Sequence, residues 1–317
     1  MQMIDKDVVI IGAGPSGLTA GIYASRASLD TLILENDLVG GQMAQSSVIE
    51  NYPGFESISG LELGEKMRFQ AEKFGTVIDE FDSITNITLS NTEKIITTKN
   101  KTYNTRTVII CTGALPKKLN VDNEKKFYGK GVHYCALCDS HAYVGMTIAV
   151  IGGGNSAFEE ALYLSKTARQ VIIIKRNDNY VGDMSLFKEV TKTSNIEILS
   201  NTEVLSFNGT TSLESICIKS IDTSKESIIE ADGAFIYIGR EPNTDFLGGR
   251  INLTKSGYII TDSNMCTNIA GVYAAGDVRE KLYRQVITAA SDGAHAALSA
   301  KKFISETKLF WKEFLLC

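Results

Sequence analysis

Short apolar runs recur along the chain, and the first of them leads directly into a run of glycines. Val8–Ile11 is uninterrupted by polar residues, which is typical of a parallel strand buried on both faces. Gly12, Gly14 and Gly17 follow in the spacing G-x-G-x-x-G, with Pro15 between them and an alanine-rich segment behind. This pattern predicts a strand, a tight turn and a helix whose N-terminus accepts a pyrophosphate.

The same pattern returns in the middle of the chain, with each element displaced by 140 positions (Val8 to Ile148). Ile148–Ile151 is the second apolar run, and a helical segment follows its turn, which contains Gly152, Gly154, Asn155, Ser156 and Ala157. One such turn occurs in ordinary strand–turn–helix units, where the glycines serve geometry alone. Two matched copies favour two dinucleotide-binding units in one chain.

The strand that follows each turn ends on a residue of opposite charge. Thr31–Leu34 ends at Glu35, whereas Val171–Ile174 ends at Lys175 and Arg176. A carboxylate at this position accepts hydrogen bonds from a free 2′-hydroxyl, while cations favour a 2′-phosphate. The sequence therefore predicts a plain adenosine ribose in the first unit and NADP in the second, with hydride transfer between a nicotinamide and a flavin.

Length and composition narrow the class of protein. A chain of 317 residues with 44% apolar residues predicts two globular domains. The net charge of −5 provides no basic surface for nucleic acid. We expect a cytoplasmic protein without a membrane segment, because we find neither a leader pattern nor 18 consecutive apolar residues.

Cys135 and Cys138 form a C-x-x-C pair that Asp139 follows directly. A zinc site would need four ligands, and neither His133 nor His141 completes a usual second pair, so we predict no metal site. Two inert thiols are the other alternative. A redox pair is favoured, because two close sulfurs can bridge and the adjacent carboxylate can move a proton.

Together these motifs resemble those of the low-molecular-weight thioredoxin reductases, and the resemblance runs along almost the whole chain. It also covers Gly40-Gly41-Gln42, the segment VIENYPGF, Cys111-Thr112-Gly113-Ala114 and GVYAAGDVREKLYRQVITAASDG. It implies an α/β fold with two Rossmann-like dinucleotide-binding domains of the three-layer ββα type. An NADPH domain (115–245) would be inserted into a discontinuous FAD domain (1–114 and 246–317), with CTGALP and YIGREPNT as hinge strands.

The resemblance also implies the residues that bind each cofactor. Those for NADPH would be Gly152, Gly154, Asn155, Ser156, Ala157, Lys175 and Arg176. Those for FAD would be Gly12, Gly14, Pro15, Gly17, Glu35, Gly41, Gln42, Asn51, Thr112, Gly113, Gly276, Asp277, Arg284, Gln285 and Val286.

The implied activity is thioredoxin-disulfide reduction by a homodimer, with electrons passing from NADPH through FAD to the Cys135–Cys138 disulfide. Cys138 would lie nearer the flavin, and Cys135 would attack the disulfide of thioredoxin or a similar small protein. Asp139 would protonate the leaving thiolate, although a helix N-cap is the simpler role for an aspartate there.

Three segments depart from the family pattern. The usual H-R-R-x-x-x-R is replaced by Lys175-Arg176-Asn177 and Val181, which weakens the expected 2′-phosphate site. Two aromatic residues that form part of the thioredoxin docking surface are replaced by His141 and Ala142. The tail 306–317, which ends at Cys317, extends further than is usual and is expected to pack as an amphipathic helix.

These departures leave other functions open. A reductase that takes electrons from ferredoxin, or a flavin dithiol oxidase that uses oxygen, would tolerate a weakened NADPH site. A flavoprotein with only a structural or sensing role is disfavoured by the redox pair.

Overall fold

The chain folds into two compact units, each with its own core. A computed structural model describes residues 3–46, 48–180 and 182–314, without the side chains of Leu137 and residues 308–314. Unit 1 comprises Met1–Leu115 and Glu241–Cys317, and unit 2 comprises Pro116–Arg240. The chain thus passes between the units at 115/116 and 240/241. The sequence analysis placed these borders after residues 114 and 245.

The strands, in chain order, are β1 (Met3–Ile11), β2 (Thr31–Glu35), β3 (Val77–Glu80), β4 (Ile84–Leu89), β5 (Lys94–Thr98), β6 (Thr102–Ile110), β7 (Ala114–Pro116), β8 (Val132–His133), β9 (Thr147–Ile151), β10 (Gln170–Ile174), β11 (Ile196–Leu199), β12 (Thr202–Asn208), β13 (Ser215–Ser220), β14 (Glu226–Glu230), β15 (Gly233–Ile236), β16 (Arg240–Pro242) and β17 (Val272–Ala274). The helices are α1 (Pro15–Arg26), α2 (Gly60–Lys73), α3 (Glu124–Phe127), α4 (Ala136–Asp139), α5 (Asn155–Ser165), α6 (Met184–Lys192) and α7 (Val286–Phe314). Short 3₁₀ turns occupy Gly41–Gln45, Ser140–Tyr143, Asp245–Leu247 and Gly276–Val278.

Unit 1 is built on a seven-stranded sheet in the order β3-β2-β1-β6-β5-β4, with β17 also paired to β6. The strands β3, β2, β1, β6 and β17 run parallel, and β5 and β4 form an antiparallel extension. Alternate residues of β1 enter different cores: Val8 and Ile10 pack with α1 and α7, whereas Val9 and Ile11 pack on the opposite face. Burial on both faces explains why this strand is apolar throughout.

Unit 2 repeats this plan with a five-stranded parallel sheet, β11-β10-β9-β15-β8. Ile148 and Val150 of β9 pack against α5 and α6, and Ala149 and Ile151 face a core shared with the antiparallel sheet β12-β13-β14. The predicted α/β repeat is therefore present in both units. No helix within the described residues is long and apolar enough to cross a membrane.

Two positions named in the sequence analysis, Val181 and Cys317, lie outside the described residues. The helix α7 extends to Phe314, but the side chains that would define the amphipathic face of the tail are likewise outside them.

Candidate active site

The turn after β1 is so tight that two of its three glycines cannot carry a side chain. A Cβ on Gly12, where φ is +105°, would lie 2.5 Å from the carbonyl oxygen of Cys111, and one on Gly17 would lie 1.8 Å from that of Gly12. Gly14 is different, because a Cβ there would meet no atom within 4 Å. Gly14 and Pro15 begin α1 without a side-chain cap, so the helix N-terminus faces open space suited to an anion.

The carboxylate of Glu35 closes this turn from the end of β2. One oxygen accepts the backbone N–H of Ala13 at 2.6 Å, and the other accepts those of Asn36 and Asp37 at 2.8 and 3.0 Å. A carboxylate has about four acceptor positions, so one remains for a ribose hydroxyl.

The other residues predicted to bind FAD lie on loops of unit 1. Gly41 would bring a Cβ within 3.2 Å of Gly14 Cα, and Gln42 donates its amide to the carbonyl of Ala114. The Thr112 hydroxyl donates to the carbonyl oxygen of Asn243 at 2.7 Å, and Gly113 has a φ of +68°.

The C-terminal segment of unit 1 packs against the start of α1. A Cβ on Gly276 would lie 2.6 Å from the hydroxyl oxygen of Ser16, so Asp277 is carried past the same helix end. Asp292 fixes this segment by accepting the Gly276 N–H at 3.1 Å and the ammonium of Lys281 at 2.7 Å.

Arg284, Gln285 and Val286 follow this segment and lead into α7. The guanidinium of Arg284 lies 4.3 Å from the ring centre of Tyr258, and its Nε is buried without a hydrogen-bond partner among the described residues. The amide of Asn51 donates to Gln285 Oε1 at 3.3 Å. The loops that carry the predicted FAD residues are thus connected to one another within unit 1.

In unit 2, Cys135 and Cys138 form a disulfide across the first turn of α4. Cys135 precedes the helix, and its carbonyl accepts the N–H groups of Cys138 and Asp139 at 3.3 and 3.2 Å. The Ala136 N–H donates to the Tyr237 hydroxyl at 2.7 Å, which ties the helix to the end of β15. Asp139 ends α4 and is the N-cap residue of the 3₁₀ turn Ser140–Tyr143, but its side chain makes no cap hydrogen bond there.

Two residues that the sequence analysis did not connect to the disulfide are linked to the carboxylate of Asp139. His133 contacts Asp139, and Tyr143 contacts His133. His133 Nδ1 lies 3.2 Å from Asp139 Oδ2, and His133 Nε2 lies 2.6 Å from the hydroxyl of Tyr143. The sequence analysis weighs His133 only as a metal ligand. Within the described residues, no group of three or more His, Cys, Asp or Glu side chains could hold a metal ion.

The second nucleotide turn is similar to the first, with one crowded glycine and one open glycine. A Cβ on Gly152 would lie 2.3 Å from the carbonyl of Tyr237, and one on Gly154 would meet nothing within 4 Å. Ala157 is fully buried, whereas Asn155 and Ser156 are exposed at the start of α5. Asn155 Oδ1 accepts the Tyr180 hydroxyl at 2.6 Å and the Asp183 N–H at 3.0 Å.

The two cations after β10 differ in exposure. Lys175 is buried, and its ammonium donates to the carbonyls of Asn177 and Asp178, each at 2.6 Å. Burial lowers the pKa of Lys175. Arg176 is exposed, so it is the cation at this strand end that faces solvent.

Comparison with known proteins places this arrangement in a family. Residues 6–293 match the family described as pyridine nucleotide-disulphide oxidoreductase. A 34.2 kDa protein in the rubredoxin operon of Clostridium pasteurianum is 48% identical over 298 residues, which cover 94% of this chain and 97% of that protein. A thioredoxin reductase of Listeria innocua is 41% identical over 304 residues, 95% of each chain.

A solved structure agrees with these relatives. The crystal structure of thioredoxin reductase from Streptococcus pyogenes has 35% identity and a TM-score of 0.89, and the match covers 95% of this chain and 99% of that one. The fold with two dinucleotide-binding domains is thereby confirmed, as is the resemblance found in the sequence. The family implies a flavin and a pyridine nucleotide as cofactors. The chain belongs to the pyridine nucleotide-disulphide oxidoreductase family.

Proposed function

We propose that this protein is a thioredoxin-disulfide reductase that uses FAD and NADPH, with Cys135 and Cys138 as its redox pair. The observation that carries the proposal is the disulfide that joins these cysteines beside Asp139, in a chain with two dinucleotide turns. The names of the relatives from Listeria innocua and Streptococcus pyogenes support thioredoxin as the partner. The homodimer that the sequence predicts is part of the same proposal.

The residues of unit 1 fit a bound FAD. Its pyrophosphate would lie at the open Gly14 turn, and the adenosine ribose would take the remaining acceptor position of Glu35. The Nε of Arg284 is a buried donor without a hydrogen-bond partner among the described residues. A buried donor of this kind is costly unless a ligand satisfies it. When bound, the flavin would supply two-electron transfer between a nicotinamide and a disulfide.

The residues of unit 2 fit a nicotinamide dinucleotide with a modest site for the 2′-phosphate. Gly154 leaves the N-terminus of α5 open for a pyrophosphate, and exposed Arg176 is available to a phosphorylated ribose. Lys175 contributes positive charge, although two of its three donors already serve loop carbonyls.

Once the disulfide is reduced, the chain's own residues complete the reaction. The Cys135 thiolate attacks one sulfur of the partner's disulfide and releases the other as a thiolate, which takes a proton from Asp139. Cys138 then attacks the mixed disulfide at Cys135 Sγ, which restores the Cys135–Cys138 bond and releases the reduced partner.

The test is turnover of oxidised thioredoxin by the purified protein with NADPH. Two readouts monitor it: the release of thiols and the absorbance of the flavin. Cys135→Ser and Cys138→Ser should each abolish thiol release while leaving reduction of the bound flavin by NADPH intact, because the dithiol acts after that step. Extraction should yield FAD from all variants.

Cys217→Ser is the matched control, since Cys217 is a half-buried free thiol on β13 of the same unit. It should retain normal turnover. Normal turnover by either redox-pair variant would overturn the proposed electron path, and failure of NADPH to reduce the flavin would overturn the choice of donor.

A further inference from the structure

His133 is the last residue of β8 and is 8% exposed, yet both of its ring nitrogens have polar partners. Nδ1 lies 3.2 Å from Asp139 Oδ2, and Nε2 lies 2.6 Å from the Tyr143 hydroxyl. A carboxyl, an imidazole and a phenol therefore form a continuous chain that begins one residue after Cys138. Tyr143 is half-buried, so the far end of this chain approaches solvent.

The imidazole is held in place by aromatic rings. It stacks on Phe235 with ring centres 5.2 Å apart and meets the Tyr143 ring edge-on at 5.4 Å. Phe235 is fully buried in the core formed with α5. Because β8 and β15 pair in register through His133 and Phe235, the sheet holds the two rings side by side.

The phenols around this pair remain protonated donors at neutral pH. Burial, together with Asp139 and Asp232, raises the pKa of Tyr143 to about 12. Burial is also the main cause of the raised pKa values of Tyr128 and Tyr237, to which the charge of Asp139 adds. With Tyr143 as a donor to Nε2, the neutral imidazole carries its proton on Nδ1 and donates it to Asp139.

We propose that His133 is a positioning residue for Asp139, which it orients and, together with Tyr143, supplies with the proton used in thiol–disulfide exchange. When Asp139 gives its proton to a leaving thiolate, Nδ1–H passes its proton to the carboxylate. Nε2 receives the Tyr143 proton, and the phenol oxygen takes one from water. Asp139 and Tyr143 regain their protons, and one proton has moved from solvent to the leaving sulfur. The imidazole is left with its proton on Nε2 and returns to the Nδ1–H form by proton exchange before the next turnover.

This inference rests on the proposed dithiol chemistry, but it can be tested without NADPH or thioredoxin. Dithiothreitol thiolate attacks one sulfur of the Cys135–Cys138 bond, and the other sulfur leaves as a thiolate that must be protonated. The second dithiothreitol thiol then resolves the mixed disulfide. Alkylation at timed intervals and mass measurement give the rate in the flavin-loaded protein from pH 5 to pH 9.

His133→Phe keeps a ring for stacking on Phe235 but removes both nitrogens. We expect its reduction by dithiothreitol to be about tenfold slower than wild type at neutral pH, a fraction of the usual general-acid effect. Its rate relative to wild type should also change with pH. His133→Asn keeps a donor near the Nδ1 position and should recover most of the rate at neutral pH. An amide does not titrate, so the pH dependence that the imidazole gives to the wild-type rate should not return.

His141→Phe is the control, because His141 is an exposed histidine two residues beyond Asp139; its rate should match wild type. Tyr143→Phe removes only the outer hydroxyl and should slow the reaction by roughly threefold. Equal rates for His133→Phe and wild type across the pH range would overturn the proposal. So would equal, pH-independent losses in His133→Phe and His133→Asn, which indicate packing alone.

If His133→Phe does not fold, as judged by flavin content and melting, Tyr143→Phe decides the matter: an unchanged rate and pH profile would overturn the proposal. Failure of the wild-type protein to reduce thioredoxin, with an intact dithiothreitol result, would overturn the proposed partner and leave the role of His133 supported.

Discussion

The ends of β2 and β10 occupy matching positions in the two units but stabilise their loops with opposite charges. Glu35 accepts three backbone N–H groups, whereas Lys175 donates its ammonium to two backbone carbonyls. Each side chain therefore first organises its own loop, and only its remaining capacity is available to a ligand. The charge of the residue at such a strand end does not by itself identify the ribose that binds there.

The glycine turns differ in a second respect. The first unit has Gly17 where the second has Ala157, and a Cβ on Gly17 would lie 1.8 Å from the carbonyl oxygen of Gly12. In the second unit the Ala157 methyl is accommodated and fully buried. The helix thus approaches its turn more closely in unit 1, while a Cβ on Gly14 or on Gly154 would meet no atom within 4 Å.

The largest effect should come from making the first turn resemble the second. Gly17→Ala should destabilise unit 1 by about 3 kcal/mol or more and give protein without flavin, because the new methyl meets backbone that cannot move aside. Thermal unfolding and flavin absorbance measure both effects.

Gly14→Ala is the matched control, since its methyl enters open space and its backbone φ is −74°. It should change the free energy of unfolding by less than about 1 kcal/mol and weaken flavin binding alone. Equal stability of the two variants would show that the close approach at Gly17 is not what requires a glycine.

The repeat, the α/β fold and the redox pair could be predicted from the sequence because each depends on neighbouring residues. Apolar runs, glycine spacing and C-x-x-C are local patterns. The roles of Lys175 and His133 could not be predicted in this way. The first depends on the path of the loop after β10, and the second on the register that places His133 beside Phe235. The turn-forming residues Asn177 and Asp178, which follow Lys175-Arg176, were the available sequence signal for such a loop.

A second prediction tests the role of Lys175 directly. Lys175→Met should lower the free energy of unfolding by about 1 to 3 kcal/mol, because two carbonyls lose a charged donor. The loss is partly compensated, because the variant no longer has to bury an ammonium group. Urea unfolding measures the loss.

Arg176→Met provides the comparison at an exposed position and should stay within about 0.5 kcal/mol of wild type. If Lys175 served only the nucleotide, Lys175→Met would keep full stability and lose NADPH binding alone. That outcome would support the interpretation from sequence, in which the cation at the strand end serves the 2′-phosphate.

The smallest effect concerns the choice of nucleotide. Arg176 is the exposed cation after β10, and Asn177 and Val181 stand where the family pattern given in the sequence analysis has arginines. We therefore expect the protein to favour NADPH over NADH only modestly. Asn177→Arg combined with Val181→Arg should increase that preference by roughly tenfold, about 1.4 kcal/mol, because guanidinium–phosphate contacts act only on the phosphorylated ribose.

Flavin reduction titrated with both nucleotides measures the preference. The variant Asn177→Gln with Val181→Gln is the control, because it lengthens both side chains without adding charge. Strong NADPH selectivity in the unaltered protein would show that Lys175 and Arg176 suffice, and that the loop carbonyls do not withdraw the lysine from the site.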